Sequence, residues 1–353
     1  MPLTKPQIPR IIELADRIVA DIRRRKLKPG DPYQTTLETA GMLGVSTTAA
    51  NRAMQVLVKR RVLERRQRKG TFVANPAGLA STLLRKVHLL VHEDYLRREG
   101  LLSDGIVIGM HDELPAVQLQ FSFMPPDGDD RHVQNLIHEA LRSSQAEGFV
   151  LVRVSLAVQR AVAASGLPAV VHGQLHPSVP TMAWIDRDHA HAGRLLVAHL
   201  LEQGCRHIVV LMRDRMFRGD HTLLDAVRDA MAEARKSPSD LTLRCLPPDH
   251  EAIRYAVDEL IDELDGSIGV LCRSEPLARG AEAAIATRKL RVPMVVSDIY
   301  RRGSDEPPRW PYLRPRISPE EIGRHIGRML AQQARGEKPH PEFEIIDVQL
   351  ATG

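Results

Sequence analysis

The chain has 353 residues, 43% hydrophobic and 26% charged, a composition that predicts a globular protein long enough for two or three domains. Its formal charge of +5 is unevenly spread: residues 1–76 carry 16 Lys and Arg against 6 Asp and Glu, and the remainder carries 33 against 38. A basic segment ahead of an acidic one points to nucleic acid as a partner of the first alone. The opening MPLTKPQIPR lacks the apolar centre of a signal peptide. No apolar run reaches the roughly 18 residues of a membrane helix, so the expectation is a cytoplasmic protein without a membrane partner. Cys205, Cys245 and Cys272 are odd in number, far apart and outside any CxxC, and are expected as reduced packing residues.

In the first 76 residues, Ile11, Ala15, Ile18, Val19 and Ile22 recur at helical spacing, and Lys28-Pro29-Gly30-Asp31-Pro32 then turns the chain. Thr35 and Glu38 form a T-x-x-E capping box for a short second helix that Gly44 ends. Ser46 is an N-cap for a third helix, with Ala50, Ala53, Met54, Leu57 and Val58 on one face. Thr47, Thr48, Asn51, Arg52 and Gln55 fall on the other. Two short helices joined at a Gly turn read as a helix-turn-helix. Two short apolar runs around Arg68-Lys69-Gly70 then read as a hairpin, a basic wing.

The stretch "GDPYQTTLETAGMLGVSTTAANRAMQVLVKRRVLERRQRKGTFV" resembles the GntR-type winged helix, with its L-G-V-S turn, R-A-x-x-x-L run and closing G-T-F-V. The resemblance implies DNA contacts from Thr35 and Thr36, from Ser46, Thr47, Thr48 and Asn51, and from the wing glycine, Gly70. Where the family carries arginines this chain has Leu37, Thr47 and Asn51. Arg52, Arg65, Arg66, Arg68 and Lys69 are candidates for phosphate contacts in their place, and the operator should differ from the common family site.

Residues 77–86 read as a linker, and 87–353 as strand–helix alternation. The expected strands are 87–91, 117–121, 149–152, 169–171, 208–211, 241–243, 269–271 and 294–296. The expected helices are 101–114, 130–145, 156–165, 187–203, 221–234, 250–263 and 276–288. Alternation with short loops predicts an α/β fold of two lobes with parallel sheets, ligands binding beyond the carboxyl ends of the strands. No P-loop, GxGxxG, GxSxG or HExxH occurs. His88 and His92 lie in an apparent strand, and His189 and His191 diverge on a helix, so no metal or cofactor is expected.

The second lobe resembles the LacI/GalR effector domain, itself similar to periplasmic sugar-binding proteins. The resemblance rests on "WIDRDHAHAGRLLVAHLLEQGCRHIVVL", "AVRDAMAEA", "GVLCRSEPLARGAEAAI", "LRVPMVVSDIY" and "ISPEEIGRHIGRMLAQQARGEKP". It implies a carbohydrate effector held by Asp186 of the crossover Asp186/Asp188 pair, by Glu275 beside Arg273, and by Asp298. An arginine that usually grips sugar hydroxyls is replaced by Leu223, with His221 and Arg218 as stand-ins. Strand ends add His92, Glu93, Arg153 and His172. Crossings between lobes are expected near Asp186, near Asp298 and around Arg314–Ser318. The expectation is a homodimeric, ligand-controlled transcription regulator of repressor type that binds operator DNA. The alternative is an enzyme-like domain tethered to a DNA reader.

Overall fold

The computed structural model describes residues 8–28, 30–59, 62–66, 69–74, 84–92, 104–124, 130–143, 145–179, 182–247, 249–264, 267–299 and 308–352. The reader comprises α1 (Ile8–Arg24), β1 (Pro32–Tyr33), α2 (Thr36–Leu43), α3 (Thr47–Lys59), β2 (Leu63–Arg66) and β3 (Gly70–Val73). The capping box forms as the spacing requires: the Thr35 hydroxyl accepts from Glu38 N, and Glu38 Oε2 accepts from Thr35 N at 2.7 Å. Leu14, Ala15, Ile18 and Ile22 pack with Ala53, Met54 and Leu57 into one core that Leu63 and Val73 of the wing complete. Strand β3 pairs antiparallel with β2 and also with β1, a two-residue strand too short to show in the sequence pattern.

The first lobe holds a six-stranded sheet in the order β14-β8-β7-β6-β4-β5, every pairing parallel. These are β4 (Leu84–His92), β5 (Gln118–Met124), β6 (Ala146–Val152), β7 (Ala169–His172), β8 (Ala183–Arg187) and β14 (Phe343–Ile346). Helices α4 (Asp104–Glu113), α5 (Asp130–Arg142), α6 (Leu156–Ser165) and α11 (Pro319–Ala334) cover its two faces. Covering on both sides is why β4 and β6 are mostly apolar and buried, with His88 and Glu147 paired to each other. Strand β4 starts at Leu84, inside the stretch expected as linker.

The second lobe has a sheet in the order β10-β9-β11-β12-β13-β15. Its strands are β9 (His207–Arg213), β10 (Leu241–Leu246), β11 (Ile268–Ser274), β12 (Met294–Asp298), β13 (Tyr312–Pro315) and β15 (Val348–Ala351), with only β15 antiparallel. Helices α7 (His189–Glu202), α8 (Arg218–Glu233), α9 (His250–Glu263) and α10 (Glu275–Thr287) flank it. Cys205 and Cys272 are buried there, whereas Cys245 is exposed and so is not the packing residue expected.

The chain passes between lobes after Arg187, after Pro315 and again between Ile346 and Val348. The expected crossing at Asp298 does not occur, because β12 is followed by β13 in the same sheet. The crossings are laced together: Asp188 N donates to Ile346 O at 2.8 Å, and Arg316 N donates to Asp347 O at 2.9 Å. Helix α11 returns to the first lobe and lies against α4 so closely that a Cβ on Gly109 would sit 1.9 Å from Glu320 O, and one on Gly323 2.1 Å from Ile106 O. Only glycine permits that approach.

Candidate functional site

A cavity of about 810 Å³ opens between the lobes, at the carboxyl ends of the strands of both sheets. Its wall is made by strand ends: His92 of β4, Val152 and Arg153 at β6, His172 of β7, Asp186 and Arg187 of β8, Arg213 of β9 and Arg273 of β11. The amino-terminal turns of three helices also border it, through Ser155 and Leu156 of α6, Phe217 to Asp220 of α8, and Ser318 and Pro319 of α11. Such termini favour negative charge.

Arginines dominate the cavity. Arg153 and Arg187 come from the first lobe, Arg213, Arg215, Arg218 and Arg273 from the second, and Arg314 and Arg316 from the second crossing. At their centre sits Asp298, at the end of β12 and buried. Its carboxylate accepts from Arg213 Nη2 at 2.8 Å and from Arg187, and pairs with Arg273; Arg153 Nη2 lies 3.5 Å away. Burial raises the Asp298 pKa, but the four guanidiniums outweigh it and hold the carboxyl well below the usual range. Asp220 pairs with Arg213 and Arg273; burial opposes its ionisation, yet these arginines hold it down at about 2. Asp186 accepts from His189 Nε2 at 3.0 Å and from Arg187 N at 2.8 Å; burial raises its pKa, but His189 and the Arg187 charge outweigh it and hold the carboxyl below the usual range. His172 is buried, burial presses its pKa down to about 4, and its Nδ1 has no hydrogen-bond partner. Arg153 holds a left-handed backbone with φ of 54°, and its guanidinium lies over the Phe217 ring. Strained non-glycine backbone of this kind concentrates at functional sites.

Of the ligand residues read from the sequence, the cavity wall gathers His92, Arg153, His172, Asp186, Arg218 and Arg273, with Asp298 beneath. Two are corrected. Glu275 is not among the lining residues: it starts α10 and its carboxylate pairs with Arg279 one turn on. His221 is exposed on α8 and also outside the lining. Glu93 lies outside the described residues. Leu223 is buried core, while Asp188 caps α7 by accepting from His191 N at 2.8 Å. Sequence reasoning missed Arg187, Gln159 and Gln174. The signal was present as an arginine ending β8 and β9 and following β6, but only the folded order of the strands shows that they converge. Among the described residues, no cluster of His, Cys, Asp or Glu could hold a metal ion.

In the reader, Ser46, Thr47, Thr48 and Arg52 are exposed on α3 or at its start, and Thr35 and Gly70 are exposed on the same domain. Ser46 Oγ accepts from Ala49 N at 3.2 Å, so part of its hydrogen-bonding capacity serves the helix start. Arg65 Nη2 donates to Asn51 Oδ1 at 2.6 Å and to Thr36 Oγ1 at 3.4 Å, tying strand β2 to both helices of the motif. Arg66 pairs with Glu64 and stacks over Phe72. Arg68 lies outside the described residues. Leu37 is 72% exposed at the position where the resembled family carries an arginine.

Residues 11–73 match the family described as bacterial regulatory proteins, gntR family, and residues 197–353 match the periplasmic binding protein-like domain. The chain joins a gntR-family segment to a periplasmic binding protein-like domain. A regulatory protein of the LacI family from Chloroflexus aggregans is similar, with a TM-score of 0.62 at 20% identity over 75% of this chain and 96% of that one. The transcriptional regulator CelR in complex with cellobiose aligns at 0.62 and 18% identity over 99% of both chains. A LacI family regulator from Enterococcus faecium with bound ribose gives 0.59 at 16% identity over 76% of this chain and 97% of that one. No curated protein sequence matches the chain. No helix among the described residues is long and apolar enough to cross a membrane.

Proposed function

We propose that the protein is a transcription regulator whose grip on operator DNA is set by a small carbohydrate-type effector bound between the lobes. The observation that carries this reading is the position of α6. Its amino-terminal residues Leu156 and Gln159 line the cavity, and the same helix packs against α1 of the reader. A movement of α6 on ligand binding is therefore felt by the DNA-reading domain through direct contact. The three laced crossings supply a hinge, and a ligand held by both lobes favours one closure angle over another. Regulators of the same fold bind cellobiose and ribose in the complexes above, which supports a carbohydrate as the starting point.

The reading includes a homodimer, because a palindromic operator demands two-fold symmetry. Exposed Phe121 and Phe123 on the edge strand β5, with Ile108 on α4, give the first lobe an apolar surface consistent with pairing. The test is operator selection from random duplexes followed by fluorescence anisotropy with and without a metabolite panel. An effector should change operator affinity by about 5- to 150-fold, the usual range of allosteric coupling. Equal affinity for selected and random duplexes would remove the reading.

A further inference from the structure

We infer that the effector is an anion, a sugar derivative or other polyol bearing a phosphate or carboxylate group that arginines of both lobes grip. This inference deepens the proposed function and rests on it for the word effector, though not for the charge preference itself.

The charge balance argues for it. Eight arginines line the cavity, whereas Asp186 and Asp220 are the only carboxylates on its described wall. Asp298 beneath and Asp347, which pairs with Arg316 at 2.8 Å, still leave the described residues cationic. A neutral sugar needs no such preponderance of guanidiniums over carboxylates on the wall that meets it. The planar guanidinium fork suits two-point recognition of phosphate or carboxylate. Asp298 already occupies such a fork cluster from within, one carboxylate shared among arginines of both lobes; a ligand anion has the same chemistry.

Two independent features point the same way. The three helix amino termini that border the cavity add partial positive charge. Arg218, on the first turn of α8, is exposed at the cavity and makes no ion pair among the described residues, so it is available to an incoming anion. Uncharged groups in the same lining suit hydroxyls: Gln159, Gln174 and His172, whose Nδ1 has no hydrogen-bond partner. The volume of about 810 Å³ holds a monosaccharide- or disaccharide-sized molecule together with its charged group.

The experiment uses the full chain at constant ionic strength. Calorimetry and thermal melting compare matched sets: glucose, gluconate and glucose 6-phosphate; fructose, fructose 1-phosphate and fructose 1,6-bisphosphate; ribose and ribose 5-phosphate. Inorganic phosphate and citrate serve as minimal anions. Phosphate or citrate at millimolar concentration should raise the melting temperature, and at least one charged sugar should bind about tenfold or more tighter than its neutral parent. Preference for phosphate esters assigns a phosphomonoester, and preference for gluconate or citrate assigns a carboxylate. Arg218→Gln, an exposed position whose loss leaves the core intact, should erase most of that preference; Arg153→Gln serves as the second variant. Neutral parents binding as well as their charged counterparts, or no anion stabilising the protein, overturns the inference. Operator binding measured on the same samples separates the two readings. A neutral sugar that releases DNA leaves the regulator standing and removes the anion, whereas anion binding by a protein without sequence preference does the reverse.

Discussion

Asp298 ends a strand of the second lobe, and its carboxylate accepts a hydrogen bond from Arg187, which ends a strand of the first. The two residues are 111 positions apart in the chain. Arg213 and Arg273 hold the same carboxylate from its own lobe, so one buried anion joins both halves of the cleft. The latch is made of the chain's own side chains, and its strength sets how readily the lobes part.

Removing the latch should open the molecule. Arg153→Gln/Arg187→Gln deletes both inter-lobe partners and leaves Asp298 with the arginines of its own lobe, so the second lobe stays folded. Small-angle scattering should then give a larger radius of gyration than the parent. Asp298→Asn goes further, leaving buried guanidiniums short of their counter-charge, at a cost of about 3–5 kcal/mol in stability. An unchanged radius for the double variant would show that the crossings, not the ion pairs, hold the lobes.

Stability should fall in acid in two stages. His172 has its folded pKa pressed down to about 4, chiefly by burial, with Arg187 and Arg153 adding to it and Asp186 opposing. The unfolded chain takes this proton near pH 6.5, so stability is full above that and declines until about pH 4. The whole stage is about 3 kcal/mol. Asp220, held at about 2, gives stability that is present above the ordinary carboxylate value and lost as pH falls toward 2. His172→Gln should flatten the first stage and spare the second, read by chemical denaturation across pH. A slope that survives the substitution between pH 6.5 and 4 assigns it to other groups.

Glycine substitutions should separate close packing from ordinary helix propensity. Gly323→Ala places a methyl 2.1 Å from Ile106 O, forcing α11 off α4, and overpacking of this kind costs about 1–3 kcal/mol or more. Gly41 on α2 has nothing within 4 Å of the added carbon, so Gly41→Ala should stabilise the reader by about 0.4–1 kcal/mol. Denaturation midpoints that moved the same way in both variants would contradict the helix contact.

The reader was legible in the sequence because its signals are local: the Thr35/Glu38 box, the Gly44 turn and the 3.6-residue period of α3 all lie within a few turns of each other. The sheets were legible because strands covered on both faces are apolar runs such as Val87–Val91. The last strands were not. Strand β13 includes Pro315, and β14 and β15 are four residues each, so their pattern is too short to carry a period. That is why Asp298 read as a crossing and the passage at Asp347 went unseen. The convergence of the arginines was hidden for a related reason. Glu275 matched a family position, but the Arg279 that neutralises it is one helical turn away and equally visible. Arg187 and Arg213 meet only through strand order, which no local pattern encodes.

Arg65 should govern how sharply the reader distinguishes sequences. Its guanidinium holds the Asn51 carboxamide at 2.6 Å and reaches the Thr36 hydroxyl at 3.4 Å, fixing two of the side chains expected to meet DNA. With the carboxamide oxygen already occupied, Asn51 presents its amide N–H pair outward, which favours a base-edge acceptor over a donor. Arg65→Ala frees the carboxamide to rotate, so preference at the contacted base pair should relax. Asn51→Ala loses the base contact outright, worth about 1–3 kcal/mol if bidentate. Arg66→Ala should weaken binding to all duplexes alike and lower the salt slope, because a phosphate contact carries no sequence information. Binding of each variant to the selected operator and to single-base mismatches, over a range of salt, separates the three. If Arg65→Ala weakened every duplex equally and left the mismatch ratios untouched, Arg65 would be a phosphate contact and Asn51 would need no buttress. If Arg65→Ala and the Arg65→Ala/Asn51→Ala double variant lost discrimination to the same extent as Asn51→Ala alone, the two residues act as one reading unit.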